Sequence, residues 1–191
     1  MDTILTPLLK KASINKNVIV GFMDAAHLLE QASLGYVWSI ERAIVKSGSG
    51  RKRFNVLGFL DSTTNDVTEV SNTTYITSTQ IVEMFEKLRQ KYGSKKEINV
   101  ILDNARYQKC KIVMEKAEEL KINLIYLPPY SPNLNLIERL WKFLRKKCLV
   151  NKYHMNFKEF SESILECLSK TTTEYKKDLE SWLSHKFEIF N

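Results

Sequence analysis

The segment Ile98-Asn99-Val100-Ile101-Leu102 runs directly into Asp103, and its short, β-branched and largely apolar make-up reads as a buried strand that delivers a carboxylate at its end. On its C-terminal side, Ile112, Val113, Ala117 and Leu120 mark a helical stretch, and Asn123–Leu127 reads as the next strand. On its N-terminal side, Ile81, Met84, Phe85 and Leu88 fall at i, i+3, i+4 and i+7 between Ser78 and Tyr92, an amphipathic helix closed by Gly93. Strand, helix, strand, helix, strand implies parallel pairing, because parallel neighbours need a crossover long enough to hold a helix.

Further toward the N-terminus the pattern changes. Asn17–Met23 reads as a buried strand ending at Asp24, and Tyr36–Ile40, Phe54–Leu60 and Asp66–Val70 also carry strand character, with Ser47–Gly50 a mobile loop between the first two of these. Short links between these strands imply antiparallel neighbours, so the expectation is an α/β fold with a mixed sheet. Pro128-Pro129-Tyr130-Ser131-Pro132-Asn133 excludes helix, after which Ile137, Leu140, Trp141, Leu144 and Cys148 mark a helix starting near Leu136 and carrying Glu138. Phe157–Leu168 and Tyr175–Phe187 read as two more helices, covering a face or edge of the sheet.

A chain of 191 residues, 43% hydrophobic and 27% charged, suffices for one domain with a proper core. Cys110, Cys148 and Cys167 are far apart in sequence and odd in number, which suggests neither a disulfide framework nor a thiolate zinc site. No apolar run approaches the roughly 20 residues of a membrane span, and Asp2 and Pro7 do not suit a signal peptide, so the expected location is the cytoplasm. Lysine and arginine total 29 against 22 acids, a net charge of +7 that favours polyanionic partners. Two clusters concentrate it: Lys46 with Arg51, Lys52 and Arg53, then Arg139, Lys142, Arg145, Lys146, Lys147 and Lys152, with no acid inside the second run.

Asp24 and Asp103 each follow an apolar strand, where open α/β sheets present reactive groups, although an aspartate there also commonly caps a turn; Asp61 has the same credentials. Glu138 could close a capping box with Asn135 or pair with Lys142, yet it also shares a helix face with Lys142 and Arg145, opposite the Ile137 and Trp141 stripe, a carboxylate among cations suited to phosphates. Three carboxylates suit hard divalent cations, which prefer oxygen ligands. His27, His154 and His185 lack zinc-ligand spacing, and His27 reads more simply as a packing residue. Trp38, Trp141 and Trp182 sit in apolar patterns and read as core. Gly48-Ser49-Gly50-Arg51 fits neither a dinucleotide loop nor a P-loop, and no Gly-x-Ser-x-Gly elbow is present.

Three stretches together resemble one family. Gly21-Phe22-Met23-Asp24-Ala25-Ala26-His27, Ile101-Leu102-Asp103-Asn104-Ala105-Arg106-Tyr107-Gln108 and Leu127-Pro128-Pro129-Tyr130-Ser131-Pro132-Asn133-Leu134-Asn135-Leu136-Ile137-Glu138-Arg139-Leu140-Trp141 are similar to motifs of the DDE transposases of bacterial insertion sequences related to the Tc/mariner superfamily. The third is the most specific, and 34 residues separate Asp103 from Glu138, a spacing typical of that superfamily. With Arg53-Phe54-Asn55-Val56-Leu57-Gly58, the resemblance covers roughly residues 18 to 160.

The resemblance implies a ribonuclease H-like fold: a mixed five-stranded sheet, three antiparallel strands then two parallel, flanked by helices. The core would span about 18–150, with extra C-terminal helices over about 155–188. It implies Asp24 on the first strand, Asp103 at the end of the fourth and Glu138 on the helix after the fifth, together holding two Mg²⁺ (or Mn²⁺) ions; Asp61 is not a family position. DNA contacts are expected from Arg51, Lys52, Arg53, Arg106, Arg139, Lys142, Arg145 and Lys146.

The activity implied is cleavage at transposon ends and 3′-OH strand transfer into a short target containing TA, by a homodimer associated with the bacterial nucleoid. Two departures stand out: Ala25 replaces a second acid found in many relatives, and only 23 residues precede Asp24, leaving no room for the usual helix-turn-helix DNA-binding domain, which a separately encoded half could supply. The alternatives are a ribonuclease H-like nuclease acting on RNA hybrids or branched DNA, and an inactive DNA-binding or dimerisation remnant.

Overall fold

A computed structural model describes residues 2–30, 50–128 and 135–183. The predicted strand Tyr36–Ile40, the loop over Ser47–Ser49, Lys46, Trp38, His185 and most of the proline-rich turn lie outside the described residues.

The sheet has five strands in the order β3-β2-β1-β4-β5. They are β1 (Val18–Leu29), β2 (Arg53–Asp61), β3 (Val67–Asn72), β4 (Glu97–Leu102) and β5 (Ile122–Tyr126). β1 pairs antiparallel with β2, and β2 with β3; β1 pairs parallel with β4, and β4 with β5. The mixed sheet expected from the sequence is therefore present, and its two halves meet at β1.

β1 differs from the expectation in one consequential way. It does not stop at Asp24 but continues through Ala25, Ala26, His27, Leu28 and Leu29, because β2 reaches far enough to pair with all of them, down to Leu29 against Arg53. Both faces of this central strand are covered, which explains its nearly unbroken apolar sequence. Val18, Val20, Phe22, Ala26 and Leu28 join one core, while Ile19 and Met23 join the other.

The first core is roofed by α1 (Asp2–Ile14), α4 (Leu136–Leu144), α5 (Phe157–Ser169) and α6 (Lys176–Trp182). The second lies under α2 (Ser78–Tyr92) and α3 (Lys111–Glu119). α2 has the predicted bounds and buries the predicted stripe of Ile81, Met84, Phe85 and Leu88. Its start is set by a capping box in which Thr77 and Gln80 satisfy each other's backbone N–H groups, and its end by Gly93 at φ 77°, a left-handed conformation that costs glycine little. Arg89 fastens the ends of α2 and α3 together by donating to the carbonyls of Gly93, Lys96, Leu120 and Lys121.

α1 is an element that the sequence pattern does not announce. Leu5, Leu8, Leu9 and Ala12 form a helical stripe against the sheet, although Pro7 sits inside the helix. After α4 the chain passes into a π-helical turn over Arg145–Leu149, closed by Val150 N–H donating to Arg145 C=O, so the predicted helix through Cys148 changes pitch at Arg145. Cys148 and Cys167, remote in sequence, meet between this turn and α5, where their interaction holds the Cys148 thiol down and, with burial, pushes the Cys167 thiol up. Among the described residues no helix is long and apolar enough to cross a membrane.

Candidate active site

Asp24 lies within β1, and its Cα partner on β2 is Gly58. The last registered parallel pair between β1 and β4 is Phe22 with Ile101. Two residues further along each strand, the same register brings Asp103 level with Asp24, so the topology alone makes these two acids neighbours. Glu138 comes from the first turn of α4, which packs across the β1–β2 face on which Asp24 points.

Asp24 and Glu138 both register the charge of Asp103. Burial pushes the Asp24 carboxyl up from 3.8 to about 6, opposed by hydrogen bonding from the Ala25 N–H and the Trp141 indole, and assisted by the charges of Asp103 and Glu138. Glu138 is also raised, first by burial, with Lys142 pulling it down and Asp103 pushing it up. Desolvated like charges at one place destabilise a metal-free chain; groups kept together at that cost are candidates for a functional site.

Each acid is held by its own neighbourhood. Trp141 Nε1 donates to Asp24 Oδ2 at 3.2 Å, and the indole is 4% exposed. The ring lies against β2 at Gly58, where a Cβ would stand 2.6 Å from Trp141 Cη2 and 3.2 Å from Ile137 Cδ1. Asp103 Oδ1 accepts the Ala105 N–H at 2.9 Å, so Asp103 performs the turn role as well as facing the site. Asn104 next to it bonds through its side-chain amide to the Leu127 carbonyl, tying the end of β4 to the residue after β5.

The capping box expected at Glu138 does not form. Asn135 is the N-cap residue of α4 but makes no side-chain cap, and its buried Oδ1 has no hydrogen-bond partner among the described residues. Nor does Glu138 stand opposite Trp141: three residues apart on α4, they lie on one side of the helix, and Trp141 bonds Asp24 while Glu138 acts on it through charge. Asp61, by contrast, is buried and spends its oxygens on the N–H groups of Thr63 and Thr64 and on the Tyr92 hydroxyl, a structural role. His27 points to the opposite face of β1 from Asp24, is exposed, and shares a 2.7 Å hydrogen bond with Asn55, so it is neither a packed core residue nor a neighbour of the acids.

Two residues near the acids are not evident as site residues from the sequence. The helical spacing of Trp141 marks it as core, and spacing cannot show where an indole N–H ends up. Tyr107, in the single 3₁₀ turn Arg106–Gln108 of the described residues, has its phenol raised by burial and by the charges of Asp103 and then Asp24. Its place in the Asp103–Gln108 motif is the available signal.

Of the predicted phosphate contacts, Lys142, Arg145 and Lys146 are exposed along α4 and the π-helical turn, Arg139 is half-buried, and Arg106 is exposed on the 3₁₀ turn. Lys146 lies over the Trp182 ring, and Lys147 is neutralised by Asp178 at 2.6 Å, so the acid-free run of the sequence acquires an acid through folding. Arg51, Lys52 and Arg53 are exposed at the far end of β1, five strand residues or roughly 17 Å beyond Asp24 at a normal strand rise. There Lys52 lies over Phe157 and Arg53 over Tyr75.

The three-oxygen donor set suits a hard divalent cation. Among the described residues, however, no three Asp, Glu, His or Cys side chains stand close enough to hold one ion in common.

A mixed five-stranded sheet in the order β3-β2-β1-β4-β5 with helices on both faces is the ribonuclease H-like fold expected from the sequence. The fold superposes on a chain of a pre-cleavage Mos1 transpososome with a TM-score of 0.60 at 12% identity, covering 100% of this chain and 61% of that one. It also superposes on a chain of the simian T-cell lymphotropic virus intasome in complex with PP2A regulatory subunit B56 gamma, with a TM-score of 0.56 at 12% identity, covering 81% and 48%. The chain belongs to the DDE superfamily endonuclease family, which matches residues 19–161. An uncharacterized 39 kDa protein of insertion element IS630 from Shigella sonnei is 28% identical over 129 residues, 65% of this chain and 37% of that protein. The uncharacterized protein y4pE/y4sA of Sinorhizobium fredii is 39% identical over 46 residues, 24% of this chain and 32% of its own. This chain thus spans about a third of the length of the curated relatives it matches.

Proposed function

We propose that this chain is the catalytic part of a cut-and-paste DNA transposase, and that Asp24, Asp103 and Glu138 hold its divalent metal ions. The observation that carries the reading is the placement of the three carboxylates: the parallel register of β1 and β4 sets Asp103 level with Asp24, and α4, packed across the same face, carries Glu138 in its first turn. Membership of the DDE endonuclease family, the insertion-element origin of the IS630 protein and the Mos1 mariner paired-end complexes with Mg and with Mn all support it.

The donors suit two Mg²⁺ or Mn²⁺ ions better than one enclosed ion. Mg²⁺ commonly takes one or two carboxylates and fills the rest of its shell with water and substrate phosphate, so a three-carboxylate cage is not required. Bound there, such ions supply an activated nucleophile and stabilise charge on the leaving oxygen. Asp24, Asp103 and Glu138 hold and space them, while Lys142, Arg145 and Lys146 grip the phosphates on either side of the scissile bond. In the first step water attacks phosphorus and the P–O3′ bond breaks, leaving a 3′-OH and a 5′-phosphate. In the second step that 3′-OH attacks a phosphodiester of target DNA, losing its proton as the displaced target oxygen takes one up. A homodimer would bring two ends together, with end recognition supplied by helix-turn-helix segments in the same or a separate chain.

Plasmid DNA carrying the element ends, incubated with the protein and Mg²⁺ or Mn²⁺, is expected to be nicked and to yield strand-transfer products. Cleavage of an RNA–DNA hybrid with no strand transfer would replace this reading by that of a ribonuclease H-like nuclease; DNA binding without metal binding would replace it by a non-catalytic remnant. A second expectation concerns the helix cations. Lys142→Ala and Arg145→Ala together should weaken binding to all DNA sequences alike and flatten the slope of log K against log salt by about one for each phosphate no longer neutralised. An unchanged slope in a filter-binding salt series removes these two residues from the phosphate surface.

A further inference from the structure

Trp141 does more at this site than fill space. A buried indole N–H needs an acceptor, and any nearby backbone carbonyl would serve if satisfaction were the only requirement. Its acceptor here is Oδ2 of Asp24, 117 positions away in sequence. The contact is made where Asp24 faces Gly58 across the β1–β2 ladder, and only a glycine lets the ring lie that close to β2. Glu138 precedes Trp141 by three residues on the same helix, so the two side chains are neighbours on one surface of α4.

We propose that Trp141 is a positioning residue: its indole N–H fixes the Asp24 carboxylate by Oδ2 and in doing so locks the register of α4 that sets where Glu138 stands. This inference rests on the metal-site reading above. It follows that two carboxylates from separate elements are seated by a single contact. An outer partner of this kind fixes the angle of a ligating carboxylate, and its loss commonly costs ten- to a hundredfold in metal affinity.

The test is Mn²⁺ binding to the whole chain, followed by the paramagnetic resonance of free Mn²⁺, for the wild type, Trp141→Phe and Asp24→Asn, with melting in EDTA as the check on folding. Phenylalanine keeps most of the ring's packing and lacks the donor. The expected result is a Mn²⁺ dissociation constant about tenfold or more higher for Trp141→Phe, with nicking restored at saturating metal. A Trp141→Phe protein that binds Mn²⁺ as tightly as the wild type overturns the positioning role. Wild-type protein that binds no Mn²⁺, or Asp24→Asn protein that binds it unchanged, overturns the site reading instead. Should Trp141→Phe fail to fold, benzothienylalanine at position 141 supplies the same ring shape without the N–H, and the same two outcomes decide.

Discussion

Asp24→Asn is expected to abolish DNA cleavage and, at the same time, to make the metal-free protein more stable at neutral pH. The loss of activity should reach at least about a thousandfold, about 4 kcal/mol of transition-state stabilisation, because the substitution removes a charged oxygen donor of the site. The gain in stability comes from the same burial. A carboxyl raised from 3.8 to about 6 costs the folded chain about 3 kcal/mol when it is ionised. The stability tied to its protonated form is fully present below pH 3.8 and is lost as the pH rises through about 6.

Asparagine cannot ionise, yet its side-chain oxygen can still accept from Trp141. In EDTA the variant should therefore exceed the wild type by up to about 3 kcal/mol at about pH 8 and match it near about pH 4. Added Mg²⁺ should stabilise the wild type at about pH 8 and leave the variant unchanged. Urea titrations across pH measure all three differences. Equal stability of the two proteins in alkaline EDTA would contradict the electrostatic account, and undiminished nicking would contradict the catalytic one.

The second large effect is expected at Gly58. A side chain there meets the six-membered edge of the Trp141 indole at 2.6 Å and 2.9 Å, and the Ile137 side chain at 3.2 Å. β2 cannot retreat, since it is paired along both edges to β1 and β3. Valine normally favours strands, so propensity predicts a gain from Gly58→Val; the contact predicts that α4 is forced off the sheet, and the contact wins. Overpacking of this kind costs about 1–3 kcal/mol, and for a chain of this size each kcal/mol lowers the melting temperature by about 2–4 °C.

The functional loss should exceed what the stability loss accounts for, because Trp141 and Glu138 move together. Gly21→Ala is the control. Its Cβ would press into the Phe59 ring at 2.2 Å, in the core on the other face of the sheet. It should lower the melting temperature and leave Mn²⁺ affinity as it is. If both variants weaken metal binding in proportion to their melting temperatures, Gly58 has no special connection to the site.

Much of the fold is legible in the residues because the signals are local. The α2 stripe and its closing Gly93 set that helix to the residue, and the apolar segments before Asp103 and after Asn17 identify the two strands that carry the aspartates. Local signals also mislead where the deciding partner is distant. Asp24 follows an apolar run, the usual mark of a strand end, but β2 continues to pair beside it and the strand goes on to Leu29. Asn135 and Glu138 have capping-box spacing, yet no side-chain cap forms at the start of α4. α1 is hidden because Pro7 suggests interruption, while the stripe of Leu5, Leu8, Leu9 and Ala12 gains its stability only from the sheet beneath it.

What the residues by themselves determined was the alternation of strands and helices and the two-part sheet, since periodicity is a property of the chain read in order; the choice of Asp24, Asp103 and Glu138 over Asp61 came from the family resemblance. Only the tertiary structure decided that Asp24 backs onto Gly58, that an indole from 117 residues away holds one of its oxygens, and that burial lifts its carboxyl to about 6. Packing and desolvation arise where remote segments meet, so no single stretch of sequence contains them.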